Sequence, residues 1–196
     1  TLTLYAFSSD NWKRPRGEVG RLFWLLREYC QRERDELVES GVRVTQIGRR
    51  DRIPSSALAE LERTERATAR NRRLHLRLAI DYSARWAIAE ATRKLGRRVQ
   101  RGTLRPDSIT PEVLHRAVAG NTPDPDLIVR TAGEVRLSDF LLWESAYAEL
   151  YFTDVLWPDF RREDLAVALS AFHQRERRYG GVVSSRSEPP EEMAAG

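Results

Sequence analysis

Arg130 and Arg136 stand on either side of Thr131, Ala132, Gly133, Glu134 and Val135, directly after the apolar run Leu127, Ile128, Val129. A guanidinium offers five N–H donors in a rigid fork, so two of them near one strand end suit an oxyanion carrying several charges. Ser138 follows with a hydroxyl. Because it precedes Asp139, Phe140, Leu141, Leu142 and Trp143, it is the expected N-cap of a helix whose free N–H groups face the same place. Small residues between the arginines let a ligand approach the backbone. Two cations, a hydroxyl and a helix start describe a pocket for a diphosphate. Glu134 is either a counter-ion that orients the arginines or a direct ligand.

These residues need a scaffold that ends its strands at one edge. Leu2, Leu4 and Ala6 mark a first strand, Val42, Val44 and Ile47 a second, and Leu74, Leu76, Leu78 and Ile80 a third. Leu127 to Arg130 and Leu150 to Phe152 supply the fourth and fifth. Strands alternating with helices throughout predict an α/β fold, a mainly parallel sheet with helices on both faces in a single domain. Ligands of such sheets bind beyond the carboxyl ends of the strands. The longest helix is expected over Glu18 to Ser40, its apolar face traced by Val19, Leu22, Phe23, Leu26, Tyr29, Cys30 and Leu37, with Gly41 ending it. Pro111 opens a short helix after Thr110. Val182 to Gly196 is polar and Pro-containing, and is expected to be a disordered tail after a domain spanning residues 1–181.

The 196 residues carry 33 basic and 29 acidic side chains, a net charge of +4. That excess raises the question of nucleic acid, but no zinc spacing, RNA-binding aromatic signature or long basic tract accompanies it, and no nucleic-acid partner is expected. An anionic substrate accounts for it as well. Cys30 has no cysteine partner, so an intrachain disulfide is excluded and a reducing compartment is favoured. No apolar run approaches the roughly 20 residues of a membrane span. The expected location is cytoplasmic, with at most peripheral contact at the inner membrane face.

Three separated segments resemble one family. IVRTAGEVRLSDFLLW with YAELYFTDVLWPDF, the early Tyr5 to Pro15 stretch YAFSSDNWKRP, and RERRYGG over Arg175 to Gly181 are similar to the motifs of the cis-prenyltransferases, the undecaprenyl diphosphate synthase family, and occur in the family's order. The resemblance implies condensation of isopentenyl diphosphate onto an allylic diphosphate primer, with Mg2+ as cofactor and a homodimeric assembly. It implies that Arg130, Arg136 and Ser138 hold isopentenyl diphosphate. Asn11 and Ser9 fall near the reacting atoms, where they orient substrate and assist proton removal. Trp12 and Arg14 belong to a substrate-closing loop, with Trp12 alternatively a hydrophobic anchor. Arg178 and Gly180 resemble an ending that reaches the partner subunit's diphosphate. Glu149 is a metal-site carboxylate or a structural acid. A hydrophobic tunnel for the growing chain is also implied, with Phe23, Trp24, Leu26 and Cys30 lining or plugging it. Each five-carbon unit buried there contributes on the order of 4 kcal/mol, at about 0.8 kcal/mol per carbon.

Thr1 to Phe7 already reads as an internal strand and no initiator Met precedes it, so an amino-terminal strand and helix are expected to be missing. In the resembled family that part carries an Asp-Gly-Asn-Gly-Arg motif, whose Asp holds the magnesium. Asp81, Tyr82, Ser83, Ala84 and Arg85 stand where the family usually has Asn-Tyr-Gly-Gly-Arg. Ala132 replaces a usual glycine, and Val135 a frequent histidine near the metal. A non-catalytic partner subunit of the same fold is the alternative reading. Joint retention of Asn11, Arg130, Arg136, Ser138 and Glu149 favours the enzyme, since a scaffold has no need of a diphosphate clamp.

Overall fold

Short apolar runs become five strands among the described residues: β1 (Leu2–Ser8), β2 (Val42–Ile47), β3 (Leu74–Tyr82), β4 (Leu127–Arg130) and β5 (Glu149–Phe152). The computed structural model describes residues 1–175; the expected tail, Arg178 and Gly180 lie outside them. Six α-helices complete the described chain: α1 (Arg16–Arg32), α2 (Arg34–Glu39), α3 (Ser55–Ala67), α4 (Ala84–Gln100), α5 (Pro111–Ala119) and α6 (Arg162–His173). Every strand pairing is parallel, as the alternation of strands and helices requires. No helix among the described residues is long and apolar enough to cross a membrane.

The chain divides into two compact units. The first comprises Thr1–Asp126 and Arg136–Ala148; the second comprises Leu127–Val135 and the described residues from Glu149 to Arg175. In the first, β3 lies between β1 and β2, with Leu4 opposite Leu78 and Val44 opposite Leu76. Side chains alternate across a strand, so β3 serves two cores. Ile80 packs with Phe7, Val19, Phe23, Cys30, Ile53, Ala57 and Leu61, which buries the inner faces of α1 and α3. Ala79 packs with Tyr82, Ala84 and Leu141, assisted by Tyr5, Ile47 and Phe140. The second unit holds the β4–β5 pair, with Leu127 opposite Glu149 and Arg130 opposite Phe152.

Two expected helices are corrected. The Glu18–Ser40 helix is two pieces, because Glu33 leaves helical geometry at φ −92°, ψ −2°. Arg34 then reaches α3, bonding Glu60 at 2.5 Å and Thr64 at 3.2 Å. Gly41, at φ +73°, ends the second piece as expected. The helix expected after Ser138 does not form. Ser138, Asp139 and Leu141 have φ of +49°, +63° and +46°, in the left-handed region that no right-handed helix contains, and the first regular turn is a 3-10 turn at Glu144–Tyr147. Ser138 is therefore not a helix cap. Asp139 is: its carboxylate accepts from Arg85 N at 3.0 Å and its carbonyl from Ala84 N at 3.0 Å, closing the start of α4. Ser83 caps the same helix by accepting from Trp86 N at 3.1 Å, so the loss of glycine there supplies a hydrogen bond.

Candidate active site

β1 runs directly into a 3-10 turn, Ser9–Lys13, that carries three of the expected site residues. Asn11 Oδ1 accepts from Ser8 N at 2.9 Å. Since a backbone N–H can only donate, this bond fixes the amide orientation and leaves the Asn11 NH2 as its available group. Asn11 is thus a donor at this site. It suits an oxyanion and cannot take up a proton. Ser9 Oγ donates to Asp81 Oδ1 at 3.0 Å. Trp12 is half-buried, stacked on Phe23 with centroids 5.2 Å apart and edge-on to Phe7 at 5.3 Å. It is thereby a hydrophobic anchor of the turn. Arg14 is exposed and pairs with Glu18 at 2.7 Å, while its N–H donates to the Asn11 carbonyl at 3.1 Å.

Asp81 is the site residue that sequence reasoning passed over as a mere departure. It is fully buried at the carboxyl end of β3, at φ +50°. Arg52 grips it through Nε at 2.8 Å and through Nη2. An acid directly after the apolar pair Ala79 and Ile80, near the carboxyl end of the strand, was the available signal, because a buried carboxylate requires a partner.

Arg130 ends β4 in the second unit. Its carbonyl accepts from Thr153 N at 2.9 Å, and Gly133 N returns a bond to Thr153 O at 2.9 Å, so the loop after β4 is laced to the loop after β5. Gly133 is at φ +66°, and a Cβ there would lie 3.0 Å from Asp154 Oδ1. Ala132 shares that conformation at φ +65° but carries the side chain. In the first unit Arg136 and Ser138 are both exposed, and the Ser138 carbonyl accepts from Tyr5 Oη at 3.3 Å.

Glu149 opens β5, opposite Leu127, about 10 Å along the strands from the level of Arg130. Its Oε2 is bound by Arg175 Nη1 at 2.6 Å. Among the described residues no group of three or more His, Cys, Asp or Glu is placed to hold a metal, and Val135, 73% exposed, offers no donor. Magnesium takes one or two carboxylates together with substrate phosphates rather than an all-protein cage. Glu149, paired with Arg175, is a carboxylate of the kind that mode uses.

The first unit also holds a buried polar cluster. Glu144 is 3% exposed, and burial pushes its carboxyl above the usual range, opposed by Arg77. Burial drives the Tyr82 hydroxyl well above its ordinary value, and lowers Arg77.

A family model described as undecaprenyl diphosphate synthase matches residues 1–180. Isoprenyl transferase 1 of Bradyrhizobium diazoefficiens is 54% identical over 184 residues, 93% of this chain and 72% of that protein. The ditrans,polycis-undecaprenyl-diphosphate synthase of Pseudomonas putida, named as (2E,6E)-farnesyl-diphosphate specific, is 47% identical over 180 residues, 91% of this chain and 72% of that one. Lavandulyl diphosphate synthase from Lavandula x intermedia, solved with dimethylallyl diphosphate, superposes with a TM-score of 0.89 at 35% identity, over 91% of this chain and 78% of that one. The chain belongs to the undecaprenyl diphosphate synthase family. It is an enzyme, an isoprenyl transferase, and the partner-subunit alternative gives way to that reading.

Proposed function

We propose that the enzyme condenses isopentenyl diphosphate with an allylic diphosphate, forming a cis double bond at each addition. The allylic carbon–oxygen bond breaks and pyrophosphate leaves; the terminal methylene carbon of isopentenyl diphosphate bonds to the freed carbon, and a proton departs from its C2. Charge grows on the leaving phosphate oxygens, so donors fixed in advance lower the barrier. The observation that carries this reading is the Asn11 amide, whose oxygen is taken by Ser8 N so that its NH2 is the group left to bind. That arrangement supports Asn11 as a donor to a diphosphate oxygen, and leaves the departing proton to pyrophosphate. Arg130 and Arg136 are the proposed bidentate clamps on isopentenyl diphosphate, with Ser138 as a neutral donor. Magnesium, held by Glu149 and substrate phosphates, would neutralise charge on the leaving group.

A homodimer is part of the proposal. Leu165, Val167 and Leu169 on α6 are 43%, 57% and 42% exposed, more apolar surface than one solvated helix usually shows. Of Leu141, Leu142, Trp143, Ala146 and Tyr147, whose apolar groups also suggest a two-fold interface, Leu141 is buried in its own core and Tyr147 is 75% exposed. The test is to supply protein from the complete coding sequence with radiolabelled isopentenyl diphosphate, an allylic primer and magnesium. Labelled polyprenyl diphosphates with new cis bonds are expected, from a species sedimenting at twice the protomer mass. Trans products or no elongation would refute the reaction, and a monomer would refute the assembly.

A further inference from the structure

Asp81 concentrates three independent constraints on one residue. Its φ of +50° is rare for a side-chain-bearing residue, though Asp and Asn tolerate it better than others, and such outliers persist only where surrounding structure holds them. Here the hold is on the page. Gly48, at φ +111°, lies so close that a Cβ would meet the Ile80 carbonyl at 2.3 Å, and Arg49 N donates to the Asp81 carbonyl at 3.1 Å. Pairing between β1 and β3 slips at this point: Phe7 is opposite Ile80 and Ser8 opposite Tyr82, leaving Asp81 as the extra residue of a bulge.

The carboxylate so placed faces the Ser9–Lys13 turn by two routes. Its Oδ1 accepts directly from Ser9 Oγ at 3.0 Å. The second route passes through Arg52, whose guanidinium binds both carboxylate oxygens while its carbon lies 5.3 Å from the Trp12 ring centroid. A fully buried carboxylate demands this cation, and the guanidinium lies over the indole while its N–H groups bind the acid. Asn11 lies between the two tethered residues. We propose that Asp81 is a positioning residue for prenyl transfer: through Ser9 and through Arg52 against Trp12, it sets where the Asn11 amide stands. Where the related family carries a neutral amide, this chain thus holds the turn with an ion pair. The inference rests on the reading of Asn11 as a donor to the diphosphate.

Asp81→Asn keeps the backbone preference and an acceptor for Ser9 while weakening the grip on Arg52. Arg52→Gln removes the charge of the second route from the other end while keeping a donor for the carboxylate, and thermal unfolding of both variants separates a loss of fold from a loss of position. Both are made in the protein from the complete coding sequence, alongside Asn11→Ala and the Asn11→Ala combinations. A misplaced group near the chemistry costs on the order of 10- to 100-fold, so each single variant is expected to lose about that in kcat with both KM values within about twofold. Asn11→Ala is expected to cost much less in either variant background than in the wild type. Normal kcat in Arg52→Gln beside an inactive Asn11→Ala would overturn the proposal. So would losses that are additive with Asn11→Ala and follow thermal stability, since those mark a merely structural pair. Full activity of Asn11→Ala itself would instead overturn the reading of the turn, and the positioning role with it.

Discussion

Ala132 illustrates how a single side chain carries information that spacing alone does not. Its φ of +65° is a conformation that costs an L-residue about 1–2 kcal/mol, and Gly133 beside it adopts the same conformation without that cost. Ala132→Gly should relieve the strain, less about 0.4–1 kcal/mol for the added freedom of the unfolded chain, leaving a gain of up to about 1.6 kcal/mol. Differential scanning calorimetry should therefore show Tm rising by up to about 6 °C. A fall in Tm would show that the loop gains more from the methyl than it loses in strain. At this scale the sequence named Ser9, Asn11, Trp12 and Arg130 by resemblance, but not what holds them. Asp81 was visible only as a substitution, because its role depends on Arg52, 29 residues away in the chain, and such partnerships leave no local periodicity. Ser138 misled for a related reason: a Ser before an apolar run signals a cap only if the following residues turn right-handed.

Strands were the legible elements. β2 and β4 begin and end where the expected strands do, and the other three deviate by a residue or two. Boundaries set by side-chain partnership were hidden, as at Glu33 and between β4 and β5. The edge of β2 away from β3, which no other strand among the described residues covers, shows such a partnership. Val44 N donates to Thr68 Oγ1 at 3.0 Å, Gln46 N to Glu65 Oε1 at 2.7 Å, and the Val42 carbonyl accepts from Asn71 Nδ2 at 2.9 Å. Side chains in and just after α3 thus occupy groups that would otherwise recruit another strand. Thr68 is fully buried and also donates to the Thr64 carbonyl at 2.8 Å. Thr68→Val keeps the shape and orphans a buried N–H, a loss of about 1–3 kcal/mol. Thermal unfolding should shift down by roughly 2–10 °C. An unchanged Tm would mean that Val44 N finds another acceptor.

For the molecule as a whole, pH offers a probe of the buried polar cluster. Burial raises the folded-state carboxyl of Glu144 above its ordinary value of 4.5, with Arg77 and His115 opposing the rise and Asp124 adding to it. A raised acid holds its proton more tightly when folded, so its contribution is complete below pH 4.5 and is lost as pH climbs through the folded-state value. Tm measured against pH should decline more steeply above that point in the wild type than in Glu144→Gln; parallel curves would show that Glu144 titrates normally. The overall α/β class was readable from alternating strand and helix patterns, and the reaction class from three motifs in order. The division into two compact units was not, since contact density has no sequence period. The central proposal is that Arg130 and Arg136 serve isopentenyl diphosphate. The most direct measurement is the pair of Michaelis constants in protein from the complete coding sequence. Losing a charged hydrogen bond of roughly 1.5–3 kcal/mol should make Arg130→Ala and Arg136→Ala each raise KM for isopentenyl diphosphate about ten- to a hundredfold, with KM for the allylic primer nearly unchanged. Equal increases for both substrates, or none for isopentenyl diphosphate, would contradict it.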